Sequence, residues 1–190
     1  EVEPKPGNWA GQPDRSTSPG GISAALGAPG GQKRSTFLFL LLAEKGITVT
    51  GVDMSEEMLT MAQQKTMDLM PRPFFSCQRL ERLTLPRAVD LAVCALDSLD
   101  YITEPKNCRE AIRRVYRALN PGGIFIFDVN TPEKLRAMDG QVFLDEDDDV
   151  YCVWRGEFDR QTNICSYGMD LFQRQGKLWS RSFEEHREYA

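Results

Sequence analysis

The stretch LLLAEKGITVTGVDMSEEMLTMAQQK, residues 40–65, decides the fold class of this chain. An apolar run ends at Gly46, and glycine favours the end of a helix. A short β-branched run over residues 47–52 follows and predicts a buried strand. Ser55 then predicts the N-cap of a second helix, whose first turn would carry Glu56 and Glu57. The stretch therefore predicts a helix, a strand and a helix in succession.

The same alternation continues towards the C-terminus. Strands are predicted over residues 74–77, 89–94 and 124–127, and the clearest amphipathic helix covers residues 103–119. Short apolar strands that alternate with helices indicate a parallel sheet with helices on both faces. We therefore predict an α/β fold whose core, over residues 37–135, is a Rossmann-like and mostly parallel sheet.

Residues 136–190 have a different pattern and are expected to form an antiparallel β insertion or lid. Three long strands are predicted over residues 151–159, 164–175 and 178–189, because turn residues separate runs of alternating polarity. Four aromatic residues of this part predict either the wall of a pocket or a small core: Tyr151, Trp154, Phe158 and Trp179.

Residues 1–36 differ from the rest of the chain, because 16 of these 36 positions are Pro, Gly or Ser. Such a segment buries too little apolar surface to offset its loss of conformational entropy. We therefore predict that residues 1–36 are disordered or atypical and that no hydrophobic first strand precedes the first helix. That helix is expected to begin at Ser35 or Thr36.

The overall composition excludes several classes of protein. A net charge of -5 without any basic stripe argues against binding to nucleic acid or to an anionic membrane, and a small-molecule substrate or a protein partner is the better expectation. The five cysteines include no C-x-x-C pair, so neither a disulfide framework nor a metal site is predicted, and a cytoplasmic location is favoured. The apolar run at residues 37–43 is too short to span a bilayer.

Asp53 is the first residue with a predicted chemical role. It ends a strand of a parallel sheet, where an acid can accept hydrogen bonds from the ribose hydroxyls of an adenosine cofactor. An acid at this point can equally cap the turn before Ser55. From this residue alone both interpretations stay open.

Three further stretches extend the argument: VDLAVCALDSLDYI (89–102), LNPGGIFIFDVNTPEKL (119–135) and DEDDDVYCVWRGEFDRQTNICSYGMDLFQR (145–174). Together with residues 40–65, and in the same order, they resemble small bacterial-type class I S-adenosylmethionine-dependent methyltransferases. The resemblance covers the chain from Phe37 to its end. It implies S-adenosylmethionine as the cofactor and methyl transfer as the reaction.

The resemblance also implies roles for individual residues. Asp53 would bind the ribose, and Met54 would pack on the adenine. Leu80 would offer its backbone amide to the adenine. Ala95 and Leu96 would line the methionine half of the cofactor, while Asp97 and Ser98 would lie at the mouth near the reactive methyl group.

One segment and one residue depart from the family pattern. The chain also ends before the last helix and strands of the family. Gly30–Thr36, with Lys33 and Arg34, takes the place of the glycine loop D-x-G-x-G-x-G. Arg79 takes the place of the acid that accepts the adenine amino group, although a guanidinium has no acceptor. The sheet is therefore expected to be incomplete at both ends.

These departures keep two alternatives open beside the methyltransferase. One is an inactive remnant or interaction module that retains the sheet but does not hold the cofactor. The other is a nicotinamide-dependent oxidoreductase, which shares the ribose-binding acid but requires a G-x-G-x-x-G motif that is absent here. No nucleophile triad can be assembled, and a methyltransferase does not need one.

Two smaller features also have alternative interpretations. The acidic run Asp145–Asp149 lacks the ligand spacing of a calcium-binding loop, so a solvated acidic loop is favoured. His186, the single histidine, is a candidate general base, but a histidine on an amphipathic strand is more often a surface or packing residue.

Overall fold

The computed structural model describes residues 23–27 and 41–190. Its first sheet has five strands, all parallel, in the order β3-β2-β1-β4-β5. The predicted α/β fold class is thereby confirmed. The strands are β1 (Ser23–Gly27), β2 (Thr48–Asp53), β3 (Phe74–Cys77), β4 (Val89–Cys94) and β5 (Leu119–Phe127).

The central strand β1 corrects the sequence analysis. Residues 1–36 were predicted to be largely disordered or atypical and to contain no first strand, but Ser23–Gly27 pairs with β2 on one side and with β4 on the other. The prediction failed because it judged the segment by its own composition. Hydrogen bonds along both edges satisfy the backbone of a central strand, so strongly apolar neighbours can hold a short segment of weak propensity. The other residues of the 1–36 segment lie outside the described residues.

Helices pack against both faces of the parallel sheet. The described helices include α1 (Glu56–Lys65), α2 (Pro105–Ala118) and α3 (Pro132–Ala137), the last of which packs against the second sheet. A 3₁₀ turn covers Leu80–Arg82. Val115 of α2 packs against one face, in a core cluster with Val52 and Ala92. On the other face Ala43 packs against Val49. Val49 and Val52 lie on opposite faces because side chains alternate along a strand.

Helix signals in the sequence are confirmed where the structure describes them. Ser55 is the N-cap of α1, and its Oγ accepts a hydrogen bond from the Met58 amide at 3.2 Å. Glu56 and Glu57 lie in the first turn. The predicted helix that precedes β2 is described only for residues 41–44. Gly46 follows it with a φ of 76°, as expected for a glycine that ends a helix. Its predicted start at Ser35 or Thr36 lies outside the described residues.

The C-terminal residues form a second, antiparallel sheet of four strands in the order β6-β7-β8-β9. They are β6 (Val142–Asp147), β7 (Val150–Asp159), β8 (Ile164–Gln175) and β9 (Leu178–Tyr189). The three strands predicted for the antiparallel insertion, β7 to β9, are confirmed, and we call them the meander. The predicted acidic loop is wrong in part, because Asp145–Asp147 belongs to β6 and pairs with residues 150–152 of β7. All six residues of this edge strand are exposed, so its acidic side chains stay hydrated.

Among the described residues, no helix has the length and apolar character needed to cross a membrane. The two sheets meet through the loop after β4, the loop after β5 and the end of β9. The Tyr189 amide donates to the Asp100 carbonyl oxygen at 2.8 Å. Leu135 of α3 is fully buried against Phe158 and Cys165 of the second sheet. The loops at the carboxyl ends of the parallel strands therefore lie beside the second sheet.

Candidate active site

The carboxyl ends of the parallel strands lie at one edge of the first sheet. Asp53 ends β2, Ala95 follows β4, and Asp128 follows β5. The central strand β1 ends at Gly27, which pairs with both Val52 and Cys94. Ligands of open α/β sheets bind at this edge.

Asp53 is half-buried and makes the turn contact that was one of its two interpretations. Its Oδ1 accepts a hydrogen bond from the Ser55 amide at 2.8 Å. Burial raises the pKa of Asp53, against the backbone hydrogen bonds from Ser55 and Met54, which lower it. A carboxylate has about four lone-pair sites, so these two donors leave acceptor capacity for a ligand. The turn contact and a ribose contact are therefore compatible.

Met54 projects much of its side chain into solvent. The residue is 60% exposed, whereas Leu59 in α1 is buried. A hydrophobic staple, in which Met54 would pack against Leu59 across the start of α1, would therefore cover only part of the Met54 side chain. The position leaves an apolar surface free beside Asp53, as packing on an adenine ring would require.

The segment after β3 contains both Leu80 and the departing residue Arg79. Leu80 begins the 3₁₀ turn, and its side chain packs against a core cluster that contains Leu99 and Ala111. Arg79 is exposed, and its Nε donates to Glu81 Oε1 at 2.5 Å. Burial raises the pKa of Glu81, but the hydrogen bond from Arg79 and the nearby positive charges lower it overall. The guanidinium is thus neutralised locally by an acid of the same turn.

The turn after β4 has an unusual backbone. Leu96 and Asp97 both have positive φ angles, 60° and 58°, although neither is glycine. Their amides donate to the two carboxylate oxygens of Asp128, Leu96 to Oδ2 at 3.1 Å and Asp97 to Oδ1 at 3.3 Å. Ser98 Oγ donates to the Ala95 carbonyl oxygen at 2.5 Å. The structure therefore brings the predicted residues 95–98 together in one left-handed turn.

Asp128 is a functional candidate that the sequence analysis missed. It directly follows the apolar strand β5, as Asp53 closes β2. The same signal, an acid at the carboxyl end of a buried strand, was available in the stretch FIFDVNT. Its partners lie 31 and 32 residues away, and this pairing becomes visible only in the fold.

A buried polar cluster lies next to the turn and links it to β9. The Asn130 amide donates to Asp100 Oδ2 at 2.7 Å, and its side-chain amide donates to Glu188 Oε2 at 2.9 Å. Lys134 Nζ donates to Asn130 Oδ1. This cluster was also missed, because its members are far apart in sequence.

Electrostatics in this cluster favour proton uptake by its acids. Burial raises the pKa of Asp100 to about 6, and the charges of Asp97 and Asp128 act in the same direction. Burial also raises the pKa of Glu188. Burial and the nearby Glu188 raise the pKa of Tyr101 to about 12. The region beside the left-handed turn is therefore acidic, with Lys134 as a cation near it.

The remaining candidates fall at different places. His186 is partly buried, with Nε2 3.3 Å from Glu184 Oε2 and its ring edge-on to Tyr101 at 5.7 Å between centroids. Phe158 is part of the core, as the second of its two interpretations predicted. Tyr151 and Trp179 line an open cavity of about 720 Å³ in the second sheet. Trp154 is not among the residues that line it.

Comparisons with known proteins identify the family of this chain. The sequence model of the family described as "Methyltransferase domain" matches residues 35–123. A crystal structure of an S-adenosylmethionine-dependent methyltransferase from Clostridium acetobutylicum ATCC 824 is 31% identical, with a TM-score of 0.78. The alignment covers 89% of this chain and 67% of that chain. This chain belongs to the class I S-adenosylmethionine-dependent methyltransferases. The cofactor of the family is S-adenosylmethionine.

Two other proteins extend the comparison. YqeM of Bacillus subtilis (strain 168), whose name assigns it to the methyltransferases, is 34% identical over 146 residues, which are 76% of this chain and 59% of that protein. The chain thus spans about three-fifths of that curated relative. The structure of S-adenosylmethionine-bound CalS10, an amino pentose methyltransferase from Micromonospora echinaspora, is 16% identical with a TM-score of 0.69. It covers 90% of this chain and 70% of that chain, and it supports the fold alone.

Membership of this methyltransferase family favours methyl transfer over the nicotinamide-dependent oxidoreductase. Within residues 41–190, no group of three or more His, Cys, Asp or Glu side chains has a geometry that could hold a metal ion. The residues to which the resemblance assigns cofactor contacts lie at the ends of β2, β3 and β4.

Proposed function

We propose that this protein binds S-adenosylmethionine at the carboxyl edge of its parallel sheet and transfers the methyl group to a small molecule in the cytoplasm. The single observation that carries the proposal is the position of Asp53. Its half-buried carboxylate ends β2, next to the end of the central strand β1 and beside the exposed side chain of Met54. This combination of a hydrogen-bond acceptor and an apolar surface fits an adenosine group.

The location of β1 adds support that the sequence analysis lacked. Strand β1 ends on Gly27, and the sequence then continues Ala28-Pro29-Gly30-Gly31. A glycine-containing segment directly after the first strand is what close approach of backbone to a nucleotide cofactor requires. The sequence differs from D-x-G-x-G-x-G, but a glycine ends the strand and Gly30 and Gly31 follow within four residues. The interpretation of Gly30–Thr36 did not include Gly27.

Charge supports the proposed position of the methionine half. The turn formed by residues 95–98 lies among the carboxylates of Asp97, Asp100 and Asp128. A sulfonium group carries one positive charge, which nearby carboxylates stabilise. Leu80 would supply its backbone amide from the neighbouring 3₁₀ turn. In this proposal Ala95 and Leu96 line the methionine half, and Asp97 and Ser98 lie at the mouth.

The cofactor would supply an electrophilic methyl group that a nucleophile of the acceptor attacks, so that the carbon–sulfur bond breaks and S-adenosylhomocysteine leaves. The protein then has to align the acceptor, exclude water and receive a proton where the acceptor carries one. Asp100 is suited to the last task, because its carboxyl has a pKa of about 6 and lies beside the turn.

Titration calorimetry with S-adenosylhomocysteine tests the proposal. The wild type should bind with a micromolar dissociation constant. Asp53→Ala should bind about tenfold to a hundredfold more weakly, because a hydrogen bond to a charged group contributes about 1.5–3 kcal/mol. Asp148→Ala, which removes an exposed acid of the second sheet, should bind like the wild type.

Circular dichroism must show that each variant is folded. Absence of heat from folded wild-type protein would contradict the proposal and favour the inactive remnant. Equal binding by Asp53→Ala and the wild type would remove Asp53 from the site. Quenching of NADH fluorescence by the wild type, without binding of S-adenosylhomocysteine, would instead support the oxidoreductase.

A further inference from the structure

The left-handed turn after β4 is an energetically costly structure. Leu96 and Asp97 both occupy the region of positive φ. For a residue with a Cβ this conformation costs about 1–2 kcal/mol, and it persists only where the surroundings enforce it. Something in the structure must therefore hold these two residues together in this conformation.

Asp128 meets that requirement. Each of its carboxylate oxygens accepts one backbone amide of the turn, at 3.1 Å from Leu96 and 3.3 Å from Asp97. Its own amide donates to the Cys94 carbonyl oxygen at 3.3 Å, which anchors it to the end of β4. The Asp100 amide also donates to the Asp97 carbonyl oxygen at 2.9 Å. Asp128 thus links β5 to both strained residues at once.

We propose that Asp128 is a positioning residue that presets the turn at residues 95–98 for the methionine half of the cofactor. The proposal rests on the proposed function, because that function assigns this turn to the methionine half. Asp53 lies on β2, which β1 separates from β4. The adenosine half is therefore held by a strand that does not depend on Asp128, and loss of Asp128 should affect only one half of the ligand.

Two ligands distinguish binding of the adenosine half of the cofactor from binding of its amino acid half. S-adenosylhomocysteine carries the amino acid group, whereas 5′-methylthioadenosine keeps the adenosine and sulfur but lacks that group. In Asp128→Ala, affinity for S-adenosylhomocysteine should fall about tenfold, the equivalent of one charge-assisted hydrogen bond. Affinity for 5′-methylthioadenosine should stay within about twofold of the wild type. Calorimetry measures both values.

Two further variants sharpen the test. Asp128→Asn keeps one acceptor and should give an intermediate loss. Asp139→Ala is the matched control, since Asp139 Oδ1 also accepts a backbone amide, that of Phe158 at 3.1 Å, but packs with the second sheet.

Amide hydrogen exchange followed by NMR reads the turn without any ligand. In Asp128→Ala the Leu96 and Asp97 amides should exchange at least about tenfold faster than in the wild type, while amides of β2 keep their rates. Faster exchange together with selective loss of S-adenosylhomocysteine supports the proposal. Unchanged exchange, or equal weakening of both ligands, overturns it.

The same data separate this proposal from the proposed function. If the wild type binds neither ligand, the proposed function fails, and the role of Asp128 towards the cofactor fails with it. If the wild type binds both ligands and Asp128→Ala binds them equally well, only the role of Asp128 fails.

Discussion

The surroundings of Asp100 destabilise its ionised carboxylate. The residue is only 6% exposed, and its carboxylate lies among the charges of Asp97 and Asp128. The Asn130 amide donates to it, and Lys134 lies near enough to lower its pKa, but burial outweighs both. Protonation of Asp100 is therefore easier in the folded protein than in the unfolded chain.

The raised pKa of Asp100 predicts that the stability of the protein depends on pH. Because the pKa of Asp100 rises from 3.8 to about 6 on folding, its favourable contribution is complete below about pH 4 and is lost as the pH rises through 6. Asp100→Asn keeps an acceptor for the Asn130 amide and removes the charge. The free energy of unfolding of Asp100→Asn, relative to the wild type, should therefore increase between about pH 4 and about pH 7. Urea denaturation at several pH values measures this difference.

Asp159→Asn is the control, because the pKa of Asp159 is shifted in the opposite direction to that of Asp100. The backbone hydrogen bond from Gln161 and the side-chain hydrogen bond from Thr162 lower the pKa of Asp159. Its substitution should give a difference that decreases as the pH rises, and it should do so mainly below about pH 4, because the lowered pKa confines the change to the acid side of 3.8. A difference between Asp100→Asn and the wild type that does not vary with pH would contradict the burial of a strained carboxylate at this position.

At the scale of elements, β1 is the part of the fold on which the site most depends. It separates β2 from β4, so the distance between Asp53 and the left-handed turn is set by its presence. Hydrogen–deuterium exchange should show fragments that cover Ser23–Gly27 protected to a degree similar to β2 and β4. Exchange of these fragments at the rate of an unstructured peptide would contradict the central position of β1.

The sequence predicted those elements whose signal is local. The bounds predicted for β3 and β4 match the structure, because each is a short apolar run between turn residues. The last two strands of the meander match as well. Strand β1 was missed because its pairing partners, and not its own residues, hold it in place. Strand β6 was missed because an exposed edge strand rich in acids resembles a loop.

For the candidate site, too, the sequence predicted only those residues whose signal is local. Asp53 and residues 95–98 follow strands that are recognisable in the sequence, and the resemblance to a family assigned roles to them. Asp128, Asn130 and Glu188 have partners 30 to 58 residues away, so their contacts follow from the fold. A local pattern carries no information on such pairs.

For the whole molecule, the junction of the two sheets determines whether the meander stays beside the site. Asn130 holds that junction, because it bonds Asp100 after β4 and Glu188 on β9. Asn130→Ala should lower the free energy of unfolding by about 2 kcal/mol or more, since it leaves the buried Glu188 carboxylate without its amide donor. It should also accelerate amide exchange at the end of β9. Chemical denaturation and hydrogen exchange measure the two effects.

Asn120→Ala is the matched control. Asn120 Nδ2 donates to Asp90 Oδ1 at 2.8 Å, but both residues belong to the parallel sheet and are only partly buried. This variant should lose about 1 kcal/mol and leave exchange in β9 unchanged. If both variants accelerated exchange in β9 equally, Asn130 would have no special role at the junction.

The central claim is that a nucleoside cofactor binds where β2 and β4 end. Backbone amide shifts in a ¹⁵N-labelled sample titrated with S-adenosylhomocysteine test it most directly. The account predicts shifts for Met54, Leu80 and residues 95–98, with none at the β8–β9 turn around Gly176. A well-dispersed spectrum that does not change, or one whose changes are confined to the second sheet, would contradict it.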